Sequence, residues 1–134
     1  DAAGVYIPET GDIRPATPPP DFDFDLALNS LAAMRAVQPQ RLLFSHFGPA
    51  SNIDEIFDES FAQLNYWVEW VKEAHAEGLD LDHAILLVQK KDREVNSNFH
   101  NNIELAAKFE ELSSTAAQVS GIWRWIETSD QSVD

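Results

Sequence analysis

Histidines are the residues of this chain whose type and spacing could most directly support chemistry. The four are His46, His75, His83 and His100. A hydrolytic zinc site normally takes three protein ligands and leaves one position open for water. His75, His83 and His100 form no His-x-His or His-Glu-x-x-His pattern, the spacings that bring two imidazoles to one metal ion. We therefore interpret these three as surface or helix-packing residues.

His46 differs from the others because it closes the apolar run RLLFSH at residues 41–46, just before Gly48 and Pro49. The end of a buried strand is where α/β folds place functional side chains. Strand ends also hold structural histidines that only hydrogen-bond a neighbouring loop. The residues alone therefore leave both interpretations of His46 open.

Two further groups have ordinary structural explanations. Acids at the start of a helix oppose the positive end of its dipole, which accounts for Asp21, Asp23 and Asp25. Aromatic residues at helical spacing are more typical of a core than of a ligand pocket. The tryptophans at this spacing are Trp67, Trp70, Trp123 and Trp125.

The composition excludes several classes of partner and of chemistry. The chain has 134 residues, of which 23 are acidic and 9 basic, and its formal net charge is -14. Repulsion from phosphate argues against nucleic acid and against an anionic membrane surface as partners. There is no cysteine, so thiolate metal sites and cysteine nucleophiles are excluded. No apolar run approaches the roughly 20 residues of a membrane span, and we expect a cytoplasmic protein.

Proline distribution divides the chain into two regions. Residues 1–50 hold all the proline, and they alternate short β-prone pieces with one helical stretch. The patterns predict strands at about 3–7 and 41–46, an extended piece at about 13–17, and a helix at about 22–37 that Pro39 stops. A helix feeding into a buried strand favours an α/β layer with the strand covered on both faces.

Residues 51–134 contain no proline and have the apolar spacing of helices. Asn52 and Glu55 fit a capping box, and Gly78 fits the position just after a helix end. The spacing predicts one long helix between these signals, followed by helices at about 81–92, 98–112 and 115–127.

Three stretches resemble the C-terminal half of a metallo-β-lactamase-fold hydrolase of the glyoxalase II-like branch. They are DAAGV at 1–5, IRPATPPPDF at 13–22 and SHFGP at 45–49. In that family an aspartate after a strand bridges two metal ions, and a histidine at a later strand end binds the second ion. The resemblance implies that Asp1 and His46 are metal ligands.

The resemblance also implies a fold and a division into domains. Residues 1–50 would be the C-terminal portion of an αββα metallo-β-lactamase sandwich, of α/β (α+β) class, and residues 51–134 an all-helical C-terminal extension. The His-x-His-x-Asp-His motif and the first half of the sandwich are not in this sequence. The missing N-terminal half of the same fold would then be a partner, and this chain alone would be inactive.

The implied activity is attack of a metal-bound hydroxide on the carbonyl of a small-molecule thioester, ester or lactone. Two divalent metal ions would be the cofactors, zinc in the first place with iron or manganese as alternatives. The helices after residue 51 would cover the substrate groove or form a homo-oligomer contact. The alternative hypothesis is a non-catalytic acidic α/β plus helical protein-interaction module, in which His46 is structural.

Overall fold

Helices dominate this chain in a computed structural model, which describes residues 2–44 and 48–131. Within these residues there are two antiparallel hairpins and six helices. The strands are β1 (Val5–Ile7), β2 (Asp12–Arg14), β3 (Leu42–Phe44) and β4 (Gly48–Ala50). The helices are α1 (Phe24–Ala36), α2 (Ile53–Ala76), α3 (Leu81–Val95), α4 (Ser97–Asn101), α5 (Ile103–Leu112) and α6 (Thr115–Gln131).

The predicted fold class, half of an αββα sandwich, is wrong for the described residues. β1 pairs with β2 and β3 pairs with β4, in two separate two-stranded sheets. Leu43, at the centre of β3, is 81% exposed, so this strand is not covered on both faces as predicted. A short apolar run does not specify its partner. Here the partner is β4, which is close in sequence, and closing so short a loop costs little entropy.

Helix α1 begins and ends where local signals predict. Asp23 is the residue before its first turn, and its Oδ1 accepts a hydrogen bond from the backbone N–H of Leu26 at 2.9 Å. Gln38 adopts the left-handed conformation, with φ of 53°, just past the helix end. Pro39 follows, and its fixed geometry prevents the helix from resuming.

Helix α2 ends as predicted but begins differently. Gly78 has a φ of 78° and donates its backbone N–H to the carbonyl of His75 at 3.1 Å, a typical helix end. Asn52 makes no side-chain cap at the other end. Its Nδ2 instead donates to Glu55 Oε2 at 3.4 Å, so the two side chains meet each other rather than the free backbone donors.

The main core lies between α2, α3 and α6, with α1 packed on one side. Its fully buried members on α2 include Trp67 and Val71, which meet Val88 of α3 and Ile122 of α6. Apolar residues recur on α2 at the spacing of one helix face, and this face accounts for most of the burial. None of the helices in the described part of the chain has the length and hydropathy needed to cross a membrane.

The segment after β2 lies directly against α6. Thr17 is fully buried, and its Oγ1 donates to the backbone carbonyl of Gln118 at 2.8 Å. The backbone N–H of Thr17 donates to Gln118 Oε1. Gly121, one turn further along α6, permits this approach, because a Cβ there would lie 2.8 Å from the Thr17 carbonyl carbon and 2.9 Å from that of Pro18.

We expect the substitution Gly121→Ala to lower the free energy of unfolding by about 3 kcal/mol, because the added methyl forces α6 away from the backbone of Thr17. Gly11→Ala is the control. Gly11 has a φ of 76° but no atom within 4 Å of the added Cβ, so only backbone strain of about 1 kcal/mol is expected. Urea unfolding followed by circular dichroism measures both values, and equal losses would contradict the close approach at Gly121.

Candidate functional site

The two predicted metal ligands, Asp1 and His46, lie outside the described residues. The strands beside His46 are described. β3 ends at Phe44 and β4 begins at Gly48, and these two residues are partners in the antiparallel register. The structure therefore describes the chain on both sides of His46 but not the residue itself.

An aromatic contact holds the first hairpin against the second. Tyr6 of β1 stacks on Phe44 of β3, with ring centroids 5.5 Å apart and planes inclined by 28°. Ile13 of β2, Ala50 of β4 and Ile56 of α2 form a buried cluster that adjoins this stack. The fold thus brings together the segments that adjoin the two predicted ligands in sequence.

The described residues do not form a metal site by themselves. Among residues 2–44 and 48–131, no group of three His, Asp or Glu side chains is placed to hold one ion. A carboxylate and an imidazole are ordinary zinc ligands, so Asp1 and His46 suit the predicted chemistry. Two ligands are fewer than a hydrolytic zinc ion takes, so such a site needs ligands from elsewhere.

A buried ion pair joins β2 to α3 and forms the centre of a second candidate site. Arg14 Nη1 donates to Asp92 Oδ2 at 2.9 Å, and the two side chains are 4% and 2% exposed. His100 Nε2, on α4, lies 2.7 Å from the same oxygen. Because an ionised carboxylate can only accept, the imidazole Nε2 donates to it.

The strand geometry of β2 explains how a charged residue enters the interior. Successive side chains of a strand point to opposite faces, so Arg14 and its neighbour Ile13 meet different surroundings. The guanidinium carbon of Arg14 lies 4.7 Å from the ring centroid of Phe99 and 5.3 Å from that of Trp67. Aromatic faces attract a guanidinium, which offsets part of the cost of removing it from water.

Amide side chains complete the hydrogen bonding around Asp92. Asn96 Nδ2 donates to Asp92 Oδ1 at 2.6 Å. Asn96 and Gln63 also exchange two amide hydrogen bonds, at 3.0 and 3.1 Å. Gln63 donates in addition to Glu59 Oε1 at 2.8 Å. Each buried polar group of this cluster therefore has a partner, as burial requires, and α2 is tied to α3.

A cleft of about 340 Å³ opens beside this cluster. Asp92 and His100 form part of its wall, and the His100 side chain is 23% exposed. The other lining residues come from α3, α5 and the start of α6: Gln89, Arg93, Ile103, Ala106, Ala107, Glu110 and Thr115. Six of these nine lining residues are polar and three are apolar, so the cleft is more polar than most small-molecule sites.

Both carboxylates in the cleft wall are engaged by the protein. Glu110 Oε1 accepts the backbone N–H of Thr115 at 2.8 Å, and Glu110 Oε2 accepts its Oγ1 at 2.9 Å. Asp92 is held by Arg14 and His100, as described above.

His75 and His83 lie apart from this cluster. His75 meets the ring of Trp123 edge-on at 4.9 Å. His83 donates its backbone N–H to Asp80 Oδ1 at 2.9 Å, and its Nδ1 lies 2.6 Å from the same oxygen. These hydrogen bonds, the backbone one first, hold the pKa of Asp80 below its ordinary value of 3.8. Both histidines thus have local partners on the helices.

The tryptophans belong mainly to the core. Trp67 is 1% exposed, and Trp70, Trp123 and Trp125 are partly buried against the main cluster. Phe24 of α1 meets Trp125 edge-on at 5.5 Å, which anchors the start of α1 on α6. The interpretation of these residues as core rather than ligand pocket agrees with their burial.

Sequence reasoning missed the role of His100, although part of the signal was present. Asp92, Asn96 and His100 recur every four residues and extend a stripe that includes the buried Val88. An acid, an amide and an imidazole in line with a core residue indicate a buried polar cluster. Arg14 lies 78 residues from Asp92 in sequence, so no local sequence pattern predicts that the two side chains form a pair.

Comparisons with known proteins do not place the chain in a family. No protein-family description, curated protein or solved structure matches it.

We expect Asp92→Asn to lower the free energy of unfolding by about 3 kcal/mol, because it leaves Arg14 buried without a counter-charge. Asp82→Asn, an exposed change on the same helix, should cost within about 0.5 kcal/mol. Urea unfolding measures both. The double variant Arg14→Met with Asp92→Leu should recover much of the loss, since it removes both charges. Equal stability of the two single variants would contradict a paired buried charge.

Proposed function

We propose that this chain is part of a metal-dependent hydrolase acting on a small-molecule thioester, ester or lactone. The resemblance of residues 1–5, 13–22 and 45–49 to glyoxalase II-like hydrolases supports this activity. In this proposal Asp1 and His46 are ligands of two divalent ions, zinc in the first place, and the protein is cytoplasmic.

The observation that carries the proposal is the stack of Tyr6 on Phe44. Tyr6 follows Asp1 by five positions, and Phe44 precedes His46 by two. A two-metal site requires ligands from separate segments to meet within a few ångströms. The stack and the adjoining Ile13 cluster hold the relevant segments in contact, which such a site demands.

Each residue has a definite role in this chemistry. The carboxylate of Asp1 would help to hold both ions, and its negative charge would offset part of theirs. The imidazole of His46 would be a ligand of the second ion, and an acceptor for its other ring nitrogen would fix its tautomer. When bound, the two ions activate water and polarise the substrate carbonyl. The remaining ligands come from a segment not contained in this sequence, so this chain alone is inactive.

Exposed apolar side chains on α1, just after it and on β3 support a missing partner segment. Leu26 is 64% exposed, Val37 is 78% exposed and Leu43 is 81% exposed. Single exposed apolar residues are common, but Leu43 lies at the centre of a strand in a two-stranded sheet. A further segment of the same protein that covers this strand would bury it.

The test compares two forms of the protein: the 134-residue chain, and the longest reading frame that contains it. We expect the longer form to bind two divalent ions and to hydrolyse a thioester or ester. Asp1→Ala and His46→Ala should each reduce its activity by roughly 100-fold or more, with loss of bound metal. Metal analysis and a chromogenic hydrolysis assay provide the two measurements.

His83→Ala is the matched control, since His83 is an exposed histidine whose partner is Asp80. Its metal content and activity should equal those of the unsubstituted protein. Tight stoichiometric zinc binding by the 134-residue chain alone would contradict the proposed division of ligands. Unchanged metal content after His46→Ala would favour the interaction-module hypothesis instead.

A further inference from the structure

The cleft between α3 and α5 has no lining residue from β3 or β4, the described strands that flank His46 in sequence. Its wall contains Asp92, whose carboxylate is fixed by Arg14, Asn96 and His100. Polar groups that are held in place on packed helices are preorganised for binding, because these side chains lose little conformational freedom when a ligand binds. This cleft is therefore a candidate ligand site in its own right.

Two side chains of the lining can donate hydrogen bonds to a ligand. Both oxygens of Glu110 accept hydrogen bonds from Thr115, and both oxygens of Asp92 accept from protein groups. Arg93 and Gln89 supply a guanidinium and an amide to the lining. The guanidinium fork of arginine matches the two oxygens of a carboxylate.

The opposite part of the lining is apolar. Ile103, Ala106 and Ala107 of α5 contribute it, and Ile103 is 80% exposed. A bound apolar group would pack against this exposed isoleucine side chain and remove it from water. The volume of about 340 Å³ is at the small end for ligand sites and suits a compact molecule.

We propose that this cleft binds a small monocarboxylate with a short apolar or aromatic tail. Arg93 pairs with the carboxylate, and the apolar side chains of α5 cover the tail. The net charge of -14 repels anions in general, so binding depends on these local groups rather than on the overall field.

Benzoate and benzamide, titrated into the 134-residue chain and followed by amide NMR shifts, provide the test. The two probes have nearly the same shape and differ in charge. We expect benzoate to bind saturably, with shifts centred on α3 and α5, and benzamide to bind about tenfold more weakly or less. Equal binding of the two probes would overturn a carboxylate site.

A pair of charge-matched variants separates a direct contact from a general charge effect. Arg93→Gln removes an exposed charge from the cleft lining, and Lys90→Gln removes one from the same helix outside the lining. We expect Arg93→Gln to weaken benzoate binding by about tenfold and Lys90→Gln by less than about twofold. Equal effects of the two variants would overturn the assignment of Arg93. Circular dichroism verifies that both variants keep their helices.

Discussion

The buried pairing of Arg14 with Asp92 is the interaction on which the arrangement of hairpin and helices depends. Removing two charges from water costs several kcal/mol per ion before their attraction is counted. Two contributions offset this cost. Aromatic rings pack against the guanidinium of Arg14, and Asn96 and His100 donate further hydrogen bonds to the carboxylate of Asp92. Since these partners lie on separate elements, the cost is offset only when β2, α3 and α4 are all in place.

A second set of hydrogen bonds fixes the same N-terminal segment to α6. Thr17 bonds Gln118 through both its hydroxyl and its backbone N–H, and Gly121 lets the two backbones approach. Arg14 and Thr17 are only three residues apart, yet they bind α3 and α6 respectively. The short segment 14–17 therefore links two helices that also pack on each other. The packing of the helical core and the position of this segment thus depend on each other.

The sequence predicted what local chemistry determines and failed where distant segments decide. The start of α1 at Asp23 and the end of α2 at Gly78 follow from capping and positive φ, which are local. The prediction for β3 failed for another reason: its partner β4 is close in sequence, but a short apolar run does not specify its partner, and the resemblance-based sandwich was wrong for the described residues. Likewise the stripe from Asp92 to His100 was visible along the chain, whereas its counter-charge at Arg14 was not. The outcome for Asp1 and His46 stays a prediction.

β2 connects the strands that flank His46 in sequence to the wall of the cleft. Ile13 points to one face and joins Ile56 of α2 and Ala50 of β4, the strand that follows His46 in sequence. Arg14 points to the other face and holds Asp92 in the wall of the cleft. Adjacent residues of a strand are fixed on opposite faces by the backbone itself. A displacement of β2 large enough to loosen Arg14 from Asp92 would therefore also move Ile13 against its cluster.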